Sequence, residues 1–275
     1  MTRRSARGAA SADRSGGLSA LRPGRPHRAA GGTSPGRPAN TAPAADFDRD
    51  TLRARLLGGL AELGLDAAPA ERLLDYLALL LKWGRVYNLT AIRDPLAMLR
   101  QHLFDSLSIV APLAARMPIR SGARWRVADV GSGAGLPGIV LALAWPQAEV
   151  LLVEPVDKKA AFLRQCQAEL ALANVRVSAS RVEALAAADV ESPPDLIVCR
   201  AFASLADFAE AIQRIVGPDT LIAAMKGALA LDELAALPPG WSVAETLPLR
   251  VPELDAARHL VLMRRLASAP RQAAG

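Results

Sequence analysis

Hydrophobic residues follow a helical periodicity in the part of the chain between Asp48 and about Pro118. The stretch ERLLDYLALLLKW places five leucines on one stripe and its charged residues largely opposite, which is typical of an amphipathic helix. These leucines are Leu73, Leu74, Leu77, Leu80 and Leu81. The stretch DPLAMLRQHLFDSLSIV predicts a second helix, with Asp94 as its N-cap and Pro95 as its first residue. The intervening YNLTAI is predicted to be a loop, so the region as a whole is helical.

Beyond Arg124, short apolar runs of strand length alternate with helical patterns. The predicted strands are residues 126–130, 149–154, 175–179, 195–200 and 220–225. Helical patterns lie between them in GIVLALAW, KKAAFLRQCQAELAL and ASLADFAEAIQRIV. This alternation predicts a parallel sheet that is covered on both faces. The last two apolar runs, WSVAETLPLRV and HLVLMRR, have no helix between them and predict an antiparallel edge.

Positive charge is concentrated at the N-terminus. Residues 1–45 contain eight arginines and a single acid, which gives +7, whereas the whole chain of 275 residues has a formal charge of +6. The remaining residues are therefore nearly neutral, and overall charge alone does not indicate an RNA-binding protein. The segment also lacks aromatic residues and is rich in Gly, Pro and Ser, so we expect a disordered basic tail. An RNA-contacting arm and a targeting signal are the alternatives.

These patterns divide the chain into four parts. We expect the disordered tail over 1–45, a helical region over 46–122, a sheet-containing domain over 123–268 and a C-terminal tail over 269–275, with SGAR (121–124) as the linker between the second and third. The two cysteines have no metal-ligand spacing, and no apolar run approaches the ~20 residues that span a bilayer. We therefore expect a cytoplasmic protein that has no disulfide, metal or membrane segment.

Glycines crowd the sequence VADVGSGAGLPG, residues 127–138, directly after the first predicted strand. In such sheets, ligands bind where a strand turns into a helix, and glycine lets the backbone approach them closely. A phosphate-binding loop requires Lys followed by Ser or Thr at the helix start, but this chain has Gly138-Ile139-Val140. A dinucleotide-binding turn needs glycine at the sixth position, where Leu136 stands. Leu136-Pro137 also offers few free amides to a pyrophosphate.

A methyl donor such as S-adenosylmethionine (SAM) carries no phosphate and fits this turn better. Gly131 and Gly133 allow close approach of its amino-acid end, and Glu154 at the end of the second strand is placed to accept hydrogen bonds from the ribose hydroxyls. Asp129 is a candidate to face its ammonium group, and Val182-Glu183 after the third strand to flank its adenine. The alternative is a generic α/β turn surrounded by surface acids.

Motifs along most of the chain resemble one family. In the sheet domain these are GSGAGLPGI, FLRQ, SRVEAL, RAFASL, MKG and PELDAARHLV, and in the helical region KWGRVYNLTAIRDP and RQHLFDSL. In order and spacing they resemble the small-subunit rRNA guanine-N7 methyltransferases, the GidB (RsmG) family, over about residues 50–266. The resemblance implies a Rossmann-like SAM-dependent methyltransferase fold with an N-terminal helical extension.

The resemblance also implies SAM contacts, at Gly131, Leu136, Val182, Glu183 and Arg200. This chain departs from the family pattern in two places. It has Glu154-Pro155 where the family often has Asp-Ser, and Cys199 where the family usually has Ser.

The target atom is constrained by signatures that this chain lacks. Cys199 ends an apolar strand without the preceding proline of base-C5 methyltransferases, so we interpret it as a core residue rather than a nucleophile. The Asn-Pro-Pro-aromatic motif of amino-group methylation is also missing, since the chain has CRAF. Guanine N7 carries no proton and is nucleophilic at neutral pH, so its methylation requires alignment more than acid–base catalysis.

Several residues are candidates for holding cofactor or RNA. Arg200 could hydrogen-bond guanine O6 or orient the carboxylate of the methyl donor. Arg181 and Lys226 could contact the rRNA backbone or be ordinary surface charges. His102 and His259 are expected to be structural. The pair Trp83 and Tyr87 could stack on an unpaired base, but more simply would seal the helical layer against the sheet.

Together these features predict an enzyme that uses SAM to methylate N7 of a guanine in the decoding region of 16S rRNA, with Arg200 and Arg181 as positioning candidates and no identified catalytic residue. The target nucleotide comes from the resemblance. We expect a monomer that acts on 16S rRNA or the small ribosomal subunit. A SAM-dependent methyltransferase for another RNA or a small molecule, and a non-catalytic SAM- or RNA-binding module, are the alternatives.

Overall fold

A computed structural model of the chain describes residues 47–117, 124–185, 192–228 and 231–266. The predicted basic tail, the C-terminal tail and most of the predicted linker lie outside these residues. Within the described ranges, no helix is both long enough and apolar enough to cross a membrane.

The helical region begins with two packed helices. Helix α1 spans Arg49–Glu62, and the Asp48 side chain caps it by accepting a hydrogen bond from the Thr51 backbone. Helix α2 spans Ala70–Tyr87 and ends where Asn88 takes a left-handed conformation, so Tyr87 belongs to the helix rather than to the predicted loop. All five leucines of the predicted stripe are buried, which confirms the amphipathic pattern.

The second predicted helix is not continuous. Asp94 caps it and Pro95 starts it as predicted, but α3 (Pro95–Met98) passes into a π-helical turn over Leu99–Phe104, followed by α4 (Asp105–Leu107) and α5 (Val110–Ala114). Four of the six residues in the π-helical turn are buried, and the Phe104 ring occupies the space where a side chain at position 59 would lie. A wider helical turn that fills a core position is a tertiary effect, invisible to a periodicity of 3.6 residues.

Seven strands form one sheet in the order β3-β2-β1-β4-β5-β7-β6. The parallel strands are β1 (Arg126–Val130), β2 (Glu149–Val153), β3 (Val175–Ser178), β4 (Leu196–Arg200) and β5 (Leu221–Lys226). Strand β7 (His259–Arg265) pairs antiparallel with β5, and β6 (Trp241–Pro248) pairs with β7 at the edge. The predicted parallel sheet and its antiparallel edge are both confirmed.

Helices cover both faces of this sheet, and alternate residues of each strand serve opposite faces. The covering helices within the sheet domain are α6 (Gly138–Ala144), α7 (Asp157–Glu169), α8 (Leu205–Ile212) and α9 (Leu231–Ala235). On one face, Val127 joins a core that is shared with the leucines of α1 and α2. On the other face, Ala128 packs in a separate cluster with α8. The helical region is therefore built onto one face of the sheet through a common core.

Candidate functional site at the carboxyl ends of the strands

The glycine turn after β1 has an irregular backbone that is firmly held. Gly131, Gly133 and Gly135 have φ angles of 73°, 58° and 91°, in the left-handed region that favours glycine. The backbone N–H groups of Gly131 and Ser132 both donate to the carbonyl of Val153, at 2.9 and 3.1 Å. The turn is thus anchored to the end of β2.

The glycines of this turn serve two different purposes. A Cβ on Gly135 would lie 2.5 Å from Ile139 Cδ1, and one on Gly138 would lie 2.6 Å from Asp129 Oδ2, so these two glycines are required by packing. At Gly131 and Gly133 the nearest atom would be 3.8 Å away. Packing therefore does not explain these two glycines, and their backbone presents an uncovered face of the kind that a ligand can approach.

Glu154 lies beneath this uncovered face. The residue is only 3% exposed, and its carboxylate accepts hydrogen bonds from the backbone N–H groups of Gly133 and Val156, at 2.8 and 2.9 Å. The acid at the end of β2 therefore fixes the turn after β1, a role that the sequence did not predict. Each carboxylate oxygen has two lone pairs and can accept a second hydrogen bond.

Asp129 does not face the ligand side, and that interpretation of the sequence is wrong. Its side chain is fully buried, and its Oδ2 accepts a hydrogen bond from the Gly138 backbone at 2.9 Å. Burial raises the pKa of this carboxyl group to about 7. A group that is enclosed behind the turn stabilises the start of α6 and has no access to a cofactor.

The third strand contributes to the same edge of the sheet. Strand β2 pairs with β1 on one side and β3 on the other, so that Val153 lies beside both Val130 and Ser178. A short 3₁₀ turn then carries Val182, which is buried, and Glu183, which is exposed. Three neighbouring strand ends therefore bring together the turn, Glu154 and Val182-Glu183, as the order of the elements predicts.

Two predicted contact residues take less expected positions. Leu136 is 3% exposed and its side chain belongs to the core, so only its backbone is available to a ligand. Arg200, at the end of β4, turns toward the helical layer, where its Nη1 donates to Asp105 Oδ2 at 3.1 Å and to the Gln101 carbonyl at 3.2 Å. Arg181 is exposed beside the 3₁₀ turn.

Asp105 binds a second arginine that the sequence analysis missed. Arg258, just before β7, donates from Nε to Asp105 Oδ1 at 2.8 Å, so two guanidinium groups converge on one buried carboxylate. Asp105, Arg200 and Arg258 are separated by 95 and 58 positions in the chain. No local spacing pattern connects them, and only the folded helical layer brings them together.

This cluster borders a pocket of about 410 Å³ between the helical layer and the ends of β4, β5 and β7. Its polar side chains are Gln101, His102, Asp105, Arg200, Lys226, Arg258 and His259. Ala201 also lines the pocket, and the adjacent Phe202 is the side chain nearest to a Cβ built on Gly131. Ala201 therefore lies against the pocket and the next residue, Phe202, lies near the glycine turn, so this segment runs between the two.

The titratable groups of the pocket are engaged with protein partners. His102 is buried and its Nε2 lies 2.8 Å from the Thr90 hydroxyl, and burial lowers its pKa to about 4. The Nδ1 of His259 lies 2.7 Å from the Gly227 carbonyl. Both contacts support the structural roles that we expected for these histidines.

Lys226 is also held by a protein partner, which corrects its proposed role at the surface. Its ammonium group forms an ion pair with Glu233 at 2.5 Å and donates to the Phe202 carbonyl at 3.3 Å. The side chain is 11% exposed. A lysine held in this way is not available for contact with the rRNA backbone, and instead it fixes the segment that separates the pocket from the turn.

Cys199 and the aromatic pair agree with their structural interpretations. Cys199 is buried in the core beside α8, and burial raises the pKa of its thiol well above the ordinary value, which makes it a poor nucleophile. Trp83 stacks on Tyr87 with ring centroids 5.3 Å apart and approaches the buried ring of Phe162 on α7 at 6.3 Å. Trp83 therefore packs between the helical layer and the sheet domain, whereas Tyr87 stacks on Trp83 and is 37% exposed.

The family model and the relatives that match this chain carry the same description. Residues 70–261 match the family model GidB, described as rRNA small subunit methyltransferase G. The chain is 52% identical over 216 residues to the ribosomal RNA small subunit methyltransferase G of Burkholderia thailandensis, covering 78% of this chain and 91% of that protein. The protein of the same name from Burkholderia ambifaria is 51% identical over 226 residues, covering 81% and 96%.

Similarity to solved structures is weaker. The crystal structure of TrmN from Thermus thermophilus superposes with a TM-score of 0.45 at 16% identity, covering 61% of this chain and 53% of that one. A similarity at this level has no bearing on substrate or mechanism.

Proposed function

The chain belongs to the GidB family of small-subunit rRNA methyltransferases and is a SAM-dependent enzyme, and from that premise we propose that it methylates N7 of a guanine in the decoding region of 16S rRNA. The family supports the substrate class. The choice of N7 as the acceptor atom is supported by the chemistry of the pocket, as argued next.

The state of the pocket's titratable side chains is the observation that carries this choice. His102 has a pKa of about 4 and contacts Thr90, Asp105 is shared by two arginines, and Lys226 is paired with Glu233. None of these three is placed to remove a proton from a substrate. An amino group or a ring carbon must lose a proton on methylation, whereas guanine N7 has none to lose. The state of these three groups therefore suits an acceptor whose lone pair is already free.

We further propose that the cofactor lies over the uncovered face of the glycine turn. Gly131 and Gly133 would admit its amino-acid end, with Leu136 contributing only backbone atoms. Glu154 would receive the ribose, Val182 and Glu183 would flank the adenine, and Arg200 would lie near the carboxylate. When bound, SAM supplies an electrophilic methyl group on a positively charged sulfur.

The protein's own contribution to catalysis is positioning. Lys226 holds the segment containing Ala201 and Phe202 between the turn and the pocket, so the two sites share one wall. Holding an acceptor nitrogen close to and in line with the methyl group, in a site from which water is excluded, accounts for a large part of the acceleration of a transfer that needs no proton.

The remaining parts of the proposal concern the whole protein. We propose that residues 46–122 and 123–268 act together as one methyltransferase unit, flanked by two tails, 1–45 and 269–275, and that the tail 1–45 is dispensable for catalysis. We also propose a monomer that acts in the cytoplasm on 16S rRNA or the small subunit.

Mapping of the methylated nucleotide tests the proposal directly. Small-subunit rRNA from cells with and without this protein is digested and compared by mass spectrometry, and we expect one 7-methylguanosine to disappear from the decoding region. Purified protein with radiolabelled SAM should restore that mark on rRNA or subunits from the deficient cells. Methylation of a different atom or base, or transfer only to small molecules, would contradict the proposal.

A further inference from the structure

We propose that the pocket between the helical layer and the ends of β4, β5 and β7 receives the target guanine, and that Arg258 recognises the base by donating hydrogen bonds to its O6. This inference rests on the proposed function and extends it to the residue that selects the base. Arg258 contacts Asp105 and lines the pocket.

Asp105 makes the arrangement of the two arginines rigid. Its side chain is 6% exposed, and each carboxylate oxygen accepts from a different guanidinium group, Oδ2 from Arg200 and Oδ1 from Arg258. The three residues come from α4, the end of β4 and the segment before β7, so three elements converge at this point. Asp105 thus acts as a positioning residue whose own oxygens are already engaged.

Arg258 retains donors that this arrangement does not use. Its Nε donates to Asp105 and its Nη1 to the Ala257 carbonyl, and within the described part of the chain its Nη2 has no hydrogen-bond partner. The side chain is 27% exposed and lines the pocket. One carboxylate balances only one of the two guanidinium groups, so the cluster has a net charge of +1. Such a site attracts an acceptor oxygen rather than a second donor.

The size of the pocket and the atoms that guanine presents favour a base. The pocket volume of about 410 Å³ lies in the range of small-molecule sites, and the helical layer and the strand ends form two of its sides. RNA-modifying proteins commonly take an unpaired base into such a pocket and recognise its edge by hydrogen bonds. Guanine presents O6 beside N7, whereas adenine presents an amino group there, which an arginine donor would oppose.

The backbone at the pocket wall supports a site fitted to a ligand. Ala201, which lines the pocket directly after Arg200, has a φ of 59°, in the left-handed region that residues other than glycine rarely adopt. Strain of this kind persists where the surroundings require a particular placement, and it is common at functional sites. Here it directs the chain from Arg200 in the pocket to Phe202 beside the glycine turn.

Arginine variants separate base recognition from cofactor binding. The test variant is Arg258→Gln, and the matched control is Arg49→Gln, because Arg49 is also ion-paired but lies against Glu71 and Asp75 in the first turns of α2. For Arg258→Gln we expect kcat/KM for unmethylated small subunits to fall at least about tenfold. Affinity for S-adenosylhomocysteine, measured by calorimetry, should stay within about twofold. Arg49→Gln should change neither quantity.

A charge-conserving variant distinguishes the base from a phosphate. Lysine provides a point charge without the planar set of donors, so Arg258→Lys should regain little of the lost kcat/KM if O6 is the acceptor. Full recovery by lysine would indicate a phosphate contact and would overturn the inference. A comparable loss of S-adenosylhomocysteine affinity in Arg258→Gln, or kinetics equal to those of Arg49→Gln, would overturn it as well. The site and atom methylated by the unmodified protein report separately on the proposed function.

Discussion

Gly131→Ala tests the assignment of the cofactor face, and Gly64→Ala is its matched control. Both glycines have positive φ angles, 73° at Gly131 and 66° at Gly64. A Cβ at Gly131 would meet its nearest atom at 3.8 Å, and one at Gly64 would meet nothing within 4 Å. Neither substitution therefore creates a packing clash, and both impose the same backbone strain.

The strain sets the expected loss of stability. Placing alanine in the left-handed region costs about 1–2 kcal/mol, so both variants should unfold more easily by that amount. For a protein of this size that corresponds to a fall in Tm of roughly 2–4 °C per kcal/mol. Differential scanning calorimetry or urea titration would measure both variants under the same conditions.

Ligand affinity should separate the two variants. The added methyl group at Gly131 projects into the space assigned to the cofactor, so we expect affinity for S-adenosylhomocysteine to fall at least tenfold, about 1.4 kcal/mol. Affinity should not change at Gly64, which lies in the loop after α1. Isothermal titration calorimetry provides the measurement. Equal affinities for the two variants, at equal loss of stability, would refute the location of the cofactor over Gly131.

Three further substitutions test other parts of the structure. Tyr76→Phe removes a 2.7 Å hydrogen bond from the hydroxyl of a fully buried residue to the Ala134 carbonyl in the glycine turn. The free energy of unfolding should fall by about 1 kcal/mol, and S-adenosylhomocysteine should bind several-fold more weakly. The control Tyr87→Phe, at a half-exposed position, should change neither quantity in the same titrations. Cys199→Ala should keep kcat within a few-fold of the unmodified protein in a radiolabelled-SAM assay, and a loss of more than about a hundredfold would restore the covalent mechanism. The pKa of His102 is about 4 in the folded protein and near 6.5 in the unfolded chain, so the unfolded state takes up the proton first as the pH falls. The free energy of unfolding should therefore decrease between pH 6.5 and pH 4, by up to about 1.4 kcal/mol per pH unit. Urea titrations of His102→Gln should lack this contribution, and parallel pH profiles for the two proteins would show that it does not exist.

Local patterns sufficed for much of the fold. Apolar runs of four to eight residues identify buried strands, and both β1 and β4 lie where such runs predict them. Asp94 was recognisable as a cap because its side chain acts on a backbone amide three residues away, at Ala97. The interruption of the same helix by a π-helical turn was not recognisable, since it arises where Phe104 packs over Gly59 in another helix.

The candidate site, too, has features that the sequence predicts and features that only the tertiary structure shows. The sequence by itself determined that a glycine turn and an acid follow two successive strands, because the carboxyl ends of parallel strands must meet at one edge. Only the tertiary structure decided which of those groups are accessible, since burial depends on elements distant in the chain. It enclosed Asp129 behind the turn, paired Lys226 with Glu233, and brought Arg258 to Asp105 across 153 positions. Hydrogen bonds and ion pairs form between groups that are close in space, and a periodicity along the chain contains no information about such pairs.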